Sequence, residues 1–579
     1  MSPASNPSPP TLCIWHGYLL GATGSNIYTH HLVESWVRAG HDVVLACQEP
    51  DPTKHPSIHE VVRLTHDIAT GSVTVASREE IRTREAGHGR CTMVVPDIHG
   101  LLPVYVLDRY EGYEVLRVPD LADARLAHYL ADHALAMQWV IDEFAPAGVL
   151  INHASPLPAA LAPVLDAAGV PFAVKVHGSE LEYALIEDAR LVGPAADALS
   201  RAASVLVGSD HIERRTRELL GDDSVDGRVS TVPPGVDLDR FHPIDRDDAS
   251  RARAHARLLE EVDARIVLAP DGRGADARDR VRELVAAVGH DPASARGLVD
   301  GLRELHGTYE ERQVERTADE AVRGLRVDDR ALVVFVGKLI PQKGVQLILA
   351  ALPYVLDVHP DAHVVVAGFG PLRDGLEAQL VAMANQDVAA IDALADHMGE
   401  LSGEGRNDLP HLRAFLDDLR SRDGLDEWLA AAREHRVDQH VSWLGLVDHG
   451  VLAELWPLAE TSVVPSVLAE AFGMVAAEAA SCGCVPIVSD HSGLADAASV
   501  IELDGVAPVR FDVGGAGGAE DITGSVRNLA DALIVRLNFD ADERARQAAA
   551  ARANVARSWS WDALSIEVAE LMTGVGART

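Results

Sequence analysis

Residues 332–344 read LVVFVGKLIPQKG, and this stretch decides the fold. LVVFV is apolar on both faces, as a strand is when helices cover its sheet on each side. Gly337 closes it, Lys338 and Lys343 stand in the loop that follows, and Gly344 supplies a turn before a helix that starts near Val345. A buried strand that runs through glycine into a helix is one step of a parallel α/β sheet. The same step recurs in both directions along the chain. Upstream, strand patterns occur at LCIW, DVVLAC, TMVVPD, EVLRVP, GVLIN, FAVKVH, SVLVGS and VSTVP; downstream, at HVVVAG, VSWLG, SVVPS and VPIVSD. In doubly wound sheets ligands bind at the carboxyl edge where such strands end.

A different composition separates the two groups. From about residue 244 to 330 the chain is rich in Ala, Arg, Asp and Glu, and a similar block covers roughly 385–437. Both read as charged helical insertions carrying a solvated face at the surface. The expected layout is a disordered tail over 1–10 and a first domain over 11–243. The insertion 244–330 precedes a second domain over 331–555, with the other insertion inside it. A terminal helix over 556–579 is expected to pack back on the first domain.

The 579 residues carry a formal net charge of −37, which argues against a nucleic-acid partner and against adsorption to an anionic membrane. Five cysteines without paired spacing fit a reducing cytoplasm. MSPASNPSPP lacks the apolar core of a secretory leader, and no run reaches the ~18 apolar residues of a membrane span. A cytoplasmic protein without a transmembrane segment is expected; peripheral membrane contact is left open.

Lysine occurs only at 54, 175, 338 and 343. Two of these in one strand–loop suit a diphosphate, because each ammonium pairs with phosphate oxygens as a point charge and the helix from Val345 adds its N-terminal dipole. AGFGPLRDGLEAQL, with Gly368 and Gly370, is another strand–glycine–helix junction, and GYLLGATGSNIYTHHL places Gly21 and Gly24 in a loop that lets a ligand approach the backbone. His177 follows a buried strand in VKVHGSELEY, where it can contact a ligand hydroxyl. His30-His31, with His16 and His41, shows no convergent metal-ligand spacing, so no metal ligands are assigned. In LAEAFGMVAAE (468–478), Glu478 lies eight residues after Glu470. At about 100° per residue it returns to within about 80° of the same side some two turns on, so both acids can face one elongated ligand and accept its paired hydroxyls.

GKLIPQKG, AGFGP and PSVLAEAFGMVAAEAASCGCVPIVSDHSGL together resemble the retaining glycosyltransferases of family 4. Glu470 and Glu478 meet the family's Glu-x7-Glu motif, and Gly337, Lys338, Leu339, Lys343 and Gly344 meet its glycine–lysine loop. VPPGVDLDRFHP, VHGSE and GATGSNIYTHHLVESWVRAGHDV resemble its interdomain segment, histidine loop and N-terminal glycine loop. The resemblance implies the GT-B fold: α/β, with two Rossmann-like doubly wound domains facing across a cleft, here carrying helical insertions. It implies that Lys338 and Lys343 hold the diphosphate and stabilise the leaving group. Glu470 would contact the donor sugar, helped by backbone N–H groups of Phe472, Gly473, Met474 and Val475. Glu478 would bind the ribose, His177 would sit by the transferred sugar, and Gly24 would approach the phosphate. The base would lie near Leu446 and Val447.

The implied reaction is front-face transfer from a nucleotide-diphosphate sugar to a hydroxyl acceptor, with retention and with no metal required. The acceptor can be a saccharide, a lipid-linked sugar or a small molecule. A sucrose- or trehalose-type disaccharide synthase, a sugar-nucleotide epimerase of the same fold and a non-catalytic nucleotide-sugar-binding protein are the alternatives. The Glu-x7-Glu helix fits transfer better than epimerisation, and the intact set of lysines, acids and His177 speaks against the non-catalytic protein.

Overall fold

The computed structural model describes residues 9–21, 24–106, 110–289, 292–328, 330–403, 408–514 and 521–574, so most of the expected tail over 1–10 lies outside them. The chain divides into two compact units, 1–235 with 559–579 and 236–558.

The first unit contains β1 (Leu12–Trp15), β2 (Val43–Ala46), β3 (Glu60–Asp67), β4 (Ser72–Glu80), β5 (Cys91–Val95), β6 (Leu101–Val104), β7 (Glu114–Arg117), β8 (Gly148–Asn152), β9 (Phe172–Lys175), β10 (Ser204–Val207) and β11 (Val229–Thr231). Among the described residues they form a nine-stranded sheet in the order β11-β10-β9-β8-β1-β2-β5-β3-β4, with β6 and β7 paired apart. Its central strands β1, β2, β8 and β9 are buried at every residue, as helices on both faces require. The β3–β4 pair is antiparallel, and the edge strand β4 is exposed over almost its whole length. The helix Trp561–Thr573 belongs to this unit. Ser565 C=O accepts from Trp36 Nε1 at 2.8 Å, and Trp561 lies 5.4 Å from the Tyr28 ring.

The second unit contains β12 (Ala331–Val336), β13 (Ala362–Ala367), β14 (Val441–Gly445), β15 (Thr461–Val464), β16 (Pro486–Ser489) and β17 (Arg510–Phe511), all parallel, in the order β14-β13-β12-β15-β16-β17. The helix Val345–Val358 is apolar nearly all round because it is covered on its outer side as well. Trp428, from the 385–437 block, donates its Nε1–H to Ala350 C=O at 3.0 Å, so that block roofs the helix.

The 244–330 block is also built in, which corrects its reading as surface decoration. Arg273 pairs with Asp374 at 2.8 Å and with Glu377 at 2.5 Å, while Arg373 reaches Glu315 at 2.5 Å and stacks 3.9 Å from the Trp443 ring. Each of these charged side chains is buried. Opposite charges far apart in the chain neutralise one another inside the unit, where each would be costly alone. Sequence shows such charges but not their partners. Among the described residues no helix is long and apolar enough to cross a membrane.

Candidate functional site

In the second unit the chain leaves β12 toward β13 on one side and returns from β14 to β15 on the other. The crevice between the carboxyl ends of β12 and β15 is therefore the point where strand order reverses, the usual ligand position in such sheets. Lys343 follows β12 and Glu470 follows β15, and their side chains meet there as an ion pair between Nζ and Oε1. Ser466 Oγ donates to the same oxygen at 2.6 Å. The Glu470 backbone is fixed as well: its N–H donates to Ser492 Oγ at 2.9 Å, and its C=O accepts from Gly493 N–H at 2.9 Å. Burial pushes the Glu470 carboxyl up, but Lys343 and Ser466 outweigh it and hold the group below its ordinary range. It is a charged acceptor aimed into the crevice.

Two glycines make this approach possible. Gly344 has φ 71°, and a Cβ there would stand 1.9 Å from Pro465 C=O, so the two loops touch through bare backbone. We expect Gly344→Ala to destabilise the protein by about 2–4 kcal/mol; a melting temperature equal to wild type would contradict that contact. Gly473, with φ 99°, precedes the helix Met474–Ser481 without a side-chain cap. The first N–H groups of a helix lack intrahelical partners, so Met474 and Val475 start this helix with donors of the kind that suit an anion. Phe472 is buried next to this start. Gly337 and Lys338 lie at the end of β12, where Gly337 N–H donates to Ala367 C=O at 3.1 Å.

Glu478 lies on that helix and is buried, with His449 Nε2 3.7 Å from its Oε1. Burial pushes its carboxyl up to about 8, while Arg240 draws it down and Asp237 pushes it up. Hydroxyls that donate to it favour its charged form, so binding them lowers this pKa and releases a proton. If those hydroxyls are the ribose's of a nucleoside diphosphate, affinity for it should rise by up to about tenfold per pH unit below about 8 and level off above. Calorimetric titration between roughly pH 7 and 9, above the phosphate's own pKa of about 6, checks this. A flat wild-type profile, or an unchanged slope in Glu478→Gln, contradicts it.

Leu446 and Val447 follow β14, two strands from β12. Leu446 is 38% exposed, and its N–H donates to Gln313 C=O at 3.0 Å. The segment around Gln313 thus runs along the end of β14, and Val314 bridges Gly445 there. Sequence reading did not place residues 313–315 beside the expected base position. No periodic signal distinguishes them within a charged block.

In the first unit the strand order reverses between β1 and β8. Gly24, exposed, begins the helix Gly24–Arg38 that follows the β1 loop. His177 follows β9, and its Nε2–H donates to Asn152 Oδ1 at 2.8 Å. Asn152 Nδ2 donates in turn to Thr29 Oγ1 at 2.9 Å and to His16 Nδ1 at 3.1 Å. Glu180, fully buried, accepts from His177 N–H at 2.9 Å, Ala154 N–H at 3.1 Å and His153 Nδ1 at 3.2 Å. Burial, with His153, Lys175 and His16 nearby, holds His177 well below the imidazole range, so its ring is neutral and presents Nδ1 as an acceptor. Sequence reading named His177 but missed Asn152, His153 and Glu180. His153 carries a visible mark only in the fold, a left-handed φ of 69° outside glycine.

Two family models match the chain: the glycosyl transferase 4-like domain over residues 23–235 and the glycosyl transferases group 1 model over 422–502. D-inositol 3-phosphate glycosyltransferase of Mycobacterium bovis is 28% identical over 312 residues, 54% of this chain and 48% of that one. An uncharacterized glycosyltransferase of Methanocaldococcus jannaschii is 29% identical over 167 residues, 29% of each chain. The chain thus spans less than half the length of these relatives. The solved catalytic domain of starch synthase IV from Arabidopsis thaliana, bound to ADP and acarbose, covers 98% of this chain at 14% identity and TM-score 0.50, with 99% of its own length aligned. One glycosyltransferase domain model matches in each unit, in chain order, and the fold is that of the GT-B glycosyltransferases.

Proposed function

We propose that this protein transfers a sugar from a nucleoside-diphosphate sugar to a hydroxyl acceptor with retention of configuration. The observation that carries the reading is the Lys343–Glu470 ion pair across the β12/β15 crevice, beside the uncapped start of the helix Met474–Ser481. In the free protein the ammonium and the carboxylate satisfy each other. A donor's diphosphate competes for Lys343 and takes the helix N–H groups, and Glu470 then turns its charge to the sugar hydroxyls. Lys338, in the same loop, adds a second cation. Glu478 holds the ribose, and the base lies against Leu446 and Val447.

The acceptor oxygen bonds to the anomeric carbon on the face from which the diphosphate leaves. As the carbon–oxygen bond to phosphate breaks, the acceptor's proton passes to the departing phosphate oxygen. The protein's part is positioning and neutralisation of charge on the leaving group. Two lysines and a helix terminus supply that neutralisation, so donor binding needs no divalent metal.

The test is a panel of sugar nucleotides screened in EDTA for thermal stabilisation, followed by NMR of the product's anomeric centre. Ligands that bind the folded state raise the melting temperature. Failure of every sugar nucleotide to stabilise the protein or to be consumed would sink the proposal; an inverted product would sink its stereochemistry.

A further inference from the structure

The first unit holds another cluster of ionisable side chains, gathered from β3, the loop after β5 and the helix Asp123–Phe144. On the helix Asp123–Phe144, His128 and Asp132 stand one turn apart on one face. The loop after β5 brings His99 to them with a left-handed φ of 51°, and β3 contributes His66 near its carboxyl end. The Nε2 atoms of His99 and His128 lie 3.5 and 3.6 Å from Asp132 Oδ2, and His66 Nδ1 lies 3.4 Å from Oδ1. The ligand atoms of His99, His128 and Asp132 all fall within 4.8 Å of one another.

The Asp132 side chain is only 1% exposed, yet neither of its oxygens accepts a hydrogen bond, and the two His66 ring nitrogens are likewise unsatisfied. A buried carboxylate left in that state is costly, so the arrangement is incomplete as it stands. Its spacing indicates what completes it. Nitrogen and oxygen ligands about 2.0–2.2 Å from a tetrahedral zinc ion are about 3.4 Å from one another. The site opens on a pocket of about 270 Å³, lined by Tyr129 and by Arg125, whose charge is paired with Glu114 at 2.6 Å. Asp97 Oδ1 stands 3.4 Å from His99 Nδ1, the place of an outer carboxylate that orients a ligating imidazole.

We propose that His99, His128 and Asp132 bind a divalent transition-metal ion, zinc by preference, with His66 as the buried outer partner of Asp132. Two imidazoles and one carboxylate favour zinc over magnesium or calcium, which take oxygen ligands. The fourth position faces the pocket. This site is independent of the donor crevice, which lies in the other unit.

The full chain, stripped with a chelator and dialysed, is titrated with zinc against a chromophoric chelator. We expect one zinc ion per chain and a higher melting temperature with zinc than without. His99→Ala and His128→Ala, both at partly exposed positions where the fold tolerates truncation, should each weaken binding by at least about a hundredfold. His66→Ala should weaken it by about 10–100-fold, as for an outer-shell partner. A control, His30→Ala with Glu34→Ala, alters the grouping of His30, His31 and Glu34 and should leave the affinity unchanged. The proposal is overturned if the stripped protein takes up no stoichiometric zinc, if the His99 and His128 variants bind as tightly as wild type, or if only the control loses binding.

Discussion

Lys343→Ala is expected to lower the turnover of sugar transfer by about 10²–10³-fold, the usual cost of removing one group that stabilises charge in the transition state. It should also weaken binding of the bare nucleoside diphosphate about tenfold or more, since a charge-assisted contact is lost. Two features of the crevice make the expectation specific. The ammonium is already held at the carboxyl edge by Glu470, so it is positioned before any ligand arrives. The loop that carries it is pinned by the Gly344 contact with Pro465, which holds the ammonium at that edge. Lys343→Arg keeps the charge and should retain more of the binding than of the rate. Steady-state kinetics with calorimetry of the nucleotide separates the two effects. Unchanged affinity and rate in Lys343→Ala would remove the phosphate assignment.

Glu470→Ala should share the loss of turnover but differ in nucleotide binding. Turnover with the sugar donor should fall by about a hundredfold or more, because the sugar loses its charged acceptor. Binding of the bare nucleoside diphosphate should be unchanged or tighter, because Lys343 no longer has to leave its partner to meet the phosphate. This sign follows from the ion pair and from nothing in the sequence. The same calorimetry reads it. If the variant loses nucleotide and sugar-donor binding equally, Glu470 and Glu478 have exchanged roles, or neither acts as assigned.

Much of the crevice between β12 and β15 was legible before the fold was known. Strands that are apolar on both faces, each running through glycine into a helix, specify a parallel sheet because only helix-covered sheets bury both faces. Once β12 and β15 are recognised as strands, the residues just beyond them fall at the carboxyl edge. Lys343, Glu470 and the start of the helix at Met474 are fixed in this way by local pattern. Other parts left little trace. The β3–β4 pair was not anticipated, because β4 is an exposed edge strand with no buried face to impose an apolar alternation. The 244–330 block looked like a solvated surface, because a charge destined for a buried ion pair is spelled the same way as one destined for water.

The sequence by itself therefore determined the parallel α/β class of the two units, most of their central strands, and the residues carried by the loops that follow those strands. These depend on periodicity and on glycine, which act over a few neighbours. The tertiary structure alone decided the partnerships: Lys343 with Glu470 across 127 positions, Arg273 with Asp374 across 101, and His66, His99, His128 and Asp132 gathered around one buried carboxylate. Distance in space between such groups is set by which strands lie side by side. That order is chosen by the burial of whole elements, not by the charged residues that come to depend on it.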